Sequence, residues 1–406
     1  VTLKVGLDHH PYPSQSAAWA DFDNDGDLDL FSCNESELFR FPSQLFINSG
    51  DGTFSEVADR AGVTNLRYCK GSTWGDYDND GDPDLYVSNL AGENRLYRNN
   101  GDGTFDDVAK IAQVLEPFYS FATWFWDYDN DGWLDLFVAS YGPSIAEVAA
   151  GYLSLDKFEG GPDTKPKLYK NDQQGGFIDV TVESGLSQAR AVMGANFGDL
   201  DNDGWLDLYL GTGYPSFEAL MPNVMFKNIG GTHFVDVTFS GGFGHLQKGH
   251  GIAFGDLDRD GDQEIMAQIG GAYPGNAFAN ALYENPGHGN RWISIKLVGT
   301  ESNRAAIGAR IKVAVSTRHG TRSVYASVNS GGSFGASSLE QEIGLGDATR
   351  VESLTVYWPT SDSVQVFRDL SLDTRYELHE GSQNSTTANL PSFNFDVGSF
   401  FQSAGE

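Results

Sequence analysis

Five stretches of this 406-residue chain crowd carboxylates at a fixed spacing: DFDNDGDLDLF (21–31), DYDNDGDPDLY (76–86), DYDNDGWLDLF (127–137), DLDNDGWLDLY (199–209) and DLDRDGDQEIM (256–266). Acidic residues stand at positions 1, 3, 5 and 9 of each, and glycine stands at position 6. Alternate residues of a turning chain direct their oxygens inward, glycine at 6 permits the sharp turn, and the carbonyl at 7 adds a ligand. The predicted side-chain ligands are Asp21, Asp23, Asp25 and Asp29; Asp76, Asp78, Asp80 and Asp84; Asp127, Asp129, Asp131 and Asp135; Asp199, Asp201, Asp203 and Asp207; and Asp256, Asp258, Asp260 and Glu264. A crowded, all-oxygen set selects Ca²⁺ over Zn²⁺ or Cu²⁺. Without an ion, several carboxylates a few ångströms apart would repel one another strongly. The bidentate Glu that an EF-hand places at position 12 is missing, since Ser32, Val87, Val138, Leu210 and Ala267 stand there. About five structural ions are therefore expected, one per repeat, because a catalytic metal is usually single and keeps an open position. Motif 5, with Arg259 at position 4 and Glu264 at position 9, predicts a weaker site.

The elements that must hold these loops are short strands. Each motif is followed by a second phrase, such as QLFINSGDGTFSEVADRAGV (44–63) or RLYRNNGDGTFDDVAKIAQV (95–114). Four strands fit one repeat: A before the motif, B leaving it, then C and D joined by an Asn-Gly, Asp-Gly or Gly-Gly turn. Four strands every ~50 residues predict an all-β chain of propeller blades. The opening residues parallel 179–201, so residues 1–7 are expected as an outer strand closing the last blade and removing exposed edges. Residues 301–381 lack the motif but keep about six strands. Counted as two more blades after blades 1–5 (1–300), they predict a seven-bladed β-propeller; the alternative is a smaller ring with a separate β domain. Residues 382–406 form a C-terminal tail.

These features resemble known families. The motifs are similar to FG-GAP/VCBS calcium-binding repeats, and IGARIKVAV…GGSFGASSLEQEIGLGDATRVESLTVYWPTSDSVQVF is similar to the ASPIC/UnbV domain. The pairing resembles the cartilage acidic protein-like family, which implies a secreted, calcium-bound propeller but no single reaction, since a fold does not dictate function.

The formal charge of −30 disfavours nucleic acid and anionic membranes as partners. The motifs hold 23 of the 56 acidic residues, so the acidity is largely local. No apolar run approaches the ~18 residues of a membrane span. The first residue is not Met and no leader is visible, which fits a mature secreted form. Cys33 ends strand B of blade 1 and Cys69 precedes strand A of blade 2; a bridge and two buried thiols both fit.

In such blades the A–B and C–D turns share one face, and the D–A and B–C connections share the other. The second face gathers the longer, less repetitive loops, where binding residues concentrate. Six positions before each motif stand Gln15, Lys70, Phe121, Met193 and His250, a variable ring near the channel mouth. Arg67, Tyr68, Tyr119, Arg190, Tyr214, Tyr273 and His10 lie close by. Trp124 and Trp126 replace the small residues of other repeats, either walling a pocket or rearranging the core. Phe121, Met193, Arg67, Arg190, Tyr214, Tyr273, Trp124 and Trp126 are the candidate ligand contacts, and His250, His10, Lys70, Tyr68 and Tyr119 the candidate acid–base groups. SIAEVAAGYLSLDKF (144–158) has helical spacing, with Ser144 as cap, and would lie over the mouth as a lid. No nucleophile elbow, zinc-protease, Walker or Rossmann signature occurs. Two functions follow: a module that binds a glycan, an extracellular protein or a small molecule, or a cofactor-free lyase, dehydratase or cyclase.

Overall fold

The computed structural model describes residues 2–7, 12–153, 164–217, 219–271, 273–331, 333–388, 391–393 and 395. Its strands form seven four-stranded sheets. The first four are the expected blades, in the order A-B-C-D. The A strands are Ser14–Ala20, Cys69–Gly75, Ser120–Trp126 and Val192–Gly198. In blades 2 and 3 the A and B strands are buried on both faces, save Gly75, as inner strands packed between neighbours must be. The uniform aromatic two residues before each motif explains the packing between blades. Trp74 lies against Phe22 and Phe105, and Phe125 stacks on Tyr77 at 6.5 Å.

Blade 5 has three strands of its own, Gly249–Gly255, Glu264–Ile269 and Ala281–Tyr283. Its fourth is Gly335–Ser337, paired parallel to the inner edge of Gly249–Gly255. Thr2–Val5 form a helical turn where an outer closing strand was expected.

All-β architecture with repeated four-stranded sheets is as predicted, but the last two sheets do not continue the ring. Arg291–Val298 pairs with Gln341–Gly346 and Thr374–His379, while Arg310–Thr317 pairs with Gly320–Ser327 and Arg350–Tyr357. Residues of both sheets, among them Ile293, Ile295, Val313, Val324, Leu354 and Leu378, close into one apolar core of their own. Arg310–Thr317 alternates buried and half-buried positions, the pattern of a two-sheet sandwich. Arg291–Val298 already belongs to this sandwich, ahead of the expected boundary at 300.

The sandwich sits over the acidic loops and touches all five. Thr360 donates to Asp21 at 2.6 Å, and Arg310 is close enough to Asp76 to favour its ionised form. The Tyr325 amide donates to Asn130 at 2.8 Å, Arg322 donates to the Asp203 carbonyl at 2.6 Å, and Arg375 pairs with Asp256. Blades six and seven of a ring could not reach every other blade's A–B turn.

From the sandwich a tongue within VNSGGSFGAS, described at 328–331 and 333–337, runs between the A strands of all five blades. Ser330 accepts from the Trp19 amide at 3.1 Å and Ser333 from the Thr123 amide at 3.1 Å. A side chain at Gly71 would strike the Ser333 hydroxyl, and Asn196 donates to Ser337 at 3.1 Å. Ile252 donates to the Phe334 carbonyl at 3.2 Å. Gly335 passes so close to the carbonyls of Ala195 and Ile252 that a Cβ would collide with both.

Candidate metal centres and the opposite face

Within each loop the position-1 carboxylate accepts the amides of positions 5 and 6: Asp21 from Asp25 (2.9 Å) and Gly26 (3.1 Å), Asp199 from Asp203 (3.0 Å) and Gly204 (2.7 Å), Asp256 from Asp260 (3.1 Å) and Gly261 (2.9 Å). The glycine at 6 has φ between +88° and +102° in all five, a conformation costly for other residues. The position-9 carboxylate ties the loop to the sheet. Asp29 accepts from Phe22 (3.1 Å) and Asn48 (2.7 Å), and Asp207 accepts from Leu200 (3.2 Å) and Asn228 (2.8 Å).

Three carboxylates converge in every loop, at positions 1, 3 and 9 in motifs 1–3 and at 1, 3 and 5 in motifs 4 and 5. The decisive observation is one oxygen. Oδ1 of Asp23, Asp78, Asp129 and Asp201, each at position 3, is buried with no hydrogen-bond partner. A buried carboxylate oxygen left unpaired is costly unless a cation or donor meets it. Four loops therefore fit a hard cation. Burial, then nearby carboxylates, raises the pKa of Asp23 to about 6, and burial raises Asp29 to about 8 and Asp127 to about 7.

Two further sets of residues, which the motif reading passed over, join one blade to the next. Position 4 adopts left-handed backbone in every loop, which favours Asn. Asn24 donates to Asp82 at 2.8 Å, Asn130 to the Gly204 carbonyl at 2.7 Å, and Asn202 to the Gly261 carbonyl at 2.9 Å. The Asn ending strand C does likewise: Asn99 donates to the Phe22 carbonyl (2.8 Å), Asn171 to Tyr77 (2.7 Å) and Asn228 to Tyr128 (2.9 Å). The signal was the Asn at position 4 of four motifs and the Asn that closes each following phrase, as in LYRN, LYKN and MFKN.

On the opposite face, Cys33 and Cys69 form a disulfide between blades 1 and 2, with Cα atoms 5.4 Å apart. Beside it Lys70 pairs with Glu35, Tyr68 donates to Glu35 at 2.8 Å, and the Lys70 ammonium lies 5.2 Å from the Phe121 ring. Burial, reinforced by Glu35, raises the Tyr68 hydroxyl to about 12. His250 sits on blade 5, in a groove of about 910 Å³ lined also by Gln268, Phe278, Asn280 and Phe334 of the tongue. Burial lowers its pKa. The ring of Phe334, which lines the groove, lies 4.6 Å from Phe121, the ring that the Lys70 ammonium approaches. Of the candidate acid–base groups, Lys70 and Tyr68 converge on Glu35 and His250 lines the groove. Tyr119 is partly exposed and packs edge-on against Phe118, while His10 lies outside the described residues.

Trp124 and Trp126 are buried in the blade 3–4 core, stacked with Phe137, Phe197 and Phe234. Neither lines the His250 groove; Trp126 instead borders a small pocket of about 80 Å³ beside the sandwich, with Gln263, Tyr325, Glu340 and Glu342. Met193 is also buried. Arg190 is buried under the Tyr152 ring at 4.5 Å, and Tyr214 packs on Tyr141. Tyr152 ends the expected helix, Ile145–Tyr152, which Ser144 and Glu147 close with reciprocal hydrogen bonds. Val148 anchors that helix against Ala191 and Met221. Its expected continuation, 154–158, lies outside the described residues. Arg67 faces Glu93 at 3.8 Å, and Tyr273 is half exposed beside Phe217.

Comparisons with known proteins agree with this geometry. The FG-GAP-like repeat family matches residues 21–87, 76–138 and 147–210, and the ASPIC and UnbV family matches 299–385. The chain is similar to cartilage acidic protein 1 of Xenopus tropicalis, 29% identical over 47% of this chain and 27% of that protein. It is 25% identical to cartilage acidic protein 1 of Homo sapiens over 57% of this chain and 37% of that one. The chain thus spans between a quarter and two-fifths of these relatives' length. Among solved structures it overlaps Saccharomyces cerevisiae Sqt1 across 91% of this chain and 78% of that chain, at 9% identity and a TM-score of 0.37. The repeats, the C-terminal sandwich and these relatives identify the chain as an FG-GAP-repeat protein of the ASPIC/UnbV-bearing, cartilage acidic protein-like family.

Proposed function

We infer that this chain is a secreted, calcium-stabilised propeller that binds an extracellular ligand on the face opposite its acidic loops. The observation that carries the reading is the contrast in what the two faces leave free. The loop face is covered by the sandwich, whereas the opposite connections expose Phe39, Phe118, Tyr119 and the packed pair Phe217–Tyr273, and the exposed Phe278 lines the His250 groove. Exposed aromatics clustered around a groove mark recognition surfaces. The ion is calcium because the loops offer only oxygen and leave a buried carboxylate oxygen unpaired. The disulfide suits an oxidising compartment. No helix among the described residues is long and apolar enough to cross a membrane.

Binding is preferred to acid–base catalysis because the titratable groups are spent on one another. Lys70 and Tyr68 both engage Glu35, and among the described residues no ion pair joins His250 to an acidic side chain. The test is to screen the calcium-loaded chain against arrays of extracellular proteins, glycans and small molecules. Captured ligands should lose affinity in a Phe217→Ala/Tyr273→Ala double variant. Affinity untouched by that variant and by His250→Ala would refute this face as the site. Turnover of a small molecule that depends on His250 would replace the binding reading with the lyase, dehydratase or cyclase one.

A further inference from the structure

Motif 5 satisfies its carboxylates differently from the other four. Its position-3 residue, Asp258, leaves no buried oxygen unpaired; its Oδ1 accepts the Asp260 amide at 3.2 Å. Its position-1 residue, Asp256, pairs with the guanidinium of Arg375, from the sandwich strand Thr374–His379. No other position-1 carboxylate among the described residues has a cationic side chain in an ion pair with it.

This guanidinium is held in place. The Arg375 side chain is 9% exposed and that of Asp256 1%. Glu340 lies 3.5 Å from its second nitrogen, and the Trp292 ring lies 6.0 Å from its centre. Trp292 also sits directly over Gly261, at position 6, where a Cβ would overlap the indole. Glu342 accepts the Asp256 amide at 3.1 Å. Lysines also reach motifs 3 and 4, but in another way. Lys170 and Lys227 take the outer oxygen of Asp129 and Asp201, their side chains are 36% and 34% exposed, and the inner oxygen stays unpaired. An exposed ammonium can swing aside for an ion, whereas a guanidinium wedged under an indole cannot leave without undocking its strand.

We propose that motif 5 holds no calcium: Arg375 supplies its positive charge, so the chain binds four ions and uses the fifth loop as a latch for the sandwich. The proposal rests on the calcium reading of motifs 1–4. Arg259 at position 4 agrees with it, because blade 5 is the last in the series and has no following loop for an Asn to bridge.

The experiment is a calcium count by equilibrium dialysis at millimolar free Ca²⁺ followed by elemental analysis. The wild-type chain should hold four ions. Asp201→Asn should hold three. Asp256→Asn should still hold four, and Arg375→Met, with the guanidinium gone, should hold five. A wild-type count of five, a loss of one ion in Asp256→Asn, or a count unchanged at four in folded Arg375→Met would each overturn the proposal. If Arg375→Met does not fold, the Asp256→Asn count still decides. A wild-type count of zero would overturn this proposal together with the calcium assignment, while leaving the ligand-binding face to its own test.

Discussion

The two faces of the ring divide labour in a way their sequences express oppositely. On the loop face every blade repeats one solution, glycine at left-handed φ and a position-1 carboxylate closing the turn, and blades 1–4 add an Asn reaching to the next blade. That face is then covered by the sandwich. On the other face no two connections match. One carries a disulfide, one a capped helix, and two bring Phe217 and Tyr273 side by side. Repetition marks where structure is maintained, and irregularity marks where a particular partner is met.

The largest expected effect tests whether the loop face is the source of stability. Stripping calcium should lower the melting temperature by more than ~10 °C, since each ion at a hundredfold excess over its Kd contributes about 2.7 kcal/mol. A melt unchanged in EDTA, with ion loss verified, would break the comparison. Next comes the disulfide, the one strong covalent tie on the variable face. Its 36-residue separation predicts a loss of about 4 kcal/mol in a Cys33→Ser/Cys69→Ser double variant, read from denaturant midpoints.

A smaller effect appears with pH in the calcium-free chain. Burial raises Asp29 to about 8 and Asp127 to about 7, so the folded form favours their protonated state. That stabilisation is complete below the ordinary carboxylate pKa and is lost as pH rises through about 7–8. The melting temperature of the calcium-free chain should therefore fall between pH 5 and pH 8, while that of the loaded chain should not. Equal slopes with and without calcium would show that the loops are not ion sites. Smallest of all, Phe217→Ala/Tyr273→Ala should change stability by less than ~0.5 kcal/mol while weakening ligand capture, because both rings are half exposed. A marked loss of stability would mean that these aromatics serve packing instead.

The repeats, their strands and the candidate ligands were legible because each rests on local spacing. Asp21 and its counterparts fold back on amides four and five residues away. What lay beyond reading was long-range placement. The alternation in RIKVAVST serves a blade and a sandwich equally well, so nothing local in 301–381 says which face those strands cover. Trp124 and Trp126 stood out as misfits to the repeat, yet Phe197 and Phe234 of the next blade absorb them. Arg375 carries no motif at all; only the docked sandwich brings it to Asp256.

The tongue has a consequence in time. Blades 1–4 and three strands of blade 5 are translated before residue 328, and the segment that fills the gap between the A strands and completes blade 5 comes afterwards. A ribosome working at about 5–20 residues per second would therefore present a ring without its axle for several seconds, with inner backbone groups such as the Ile252 amide awaiting their partners. Any shortened chain ending before residue 328 would remain permanently at that stage.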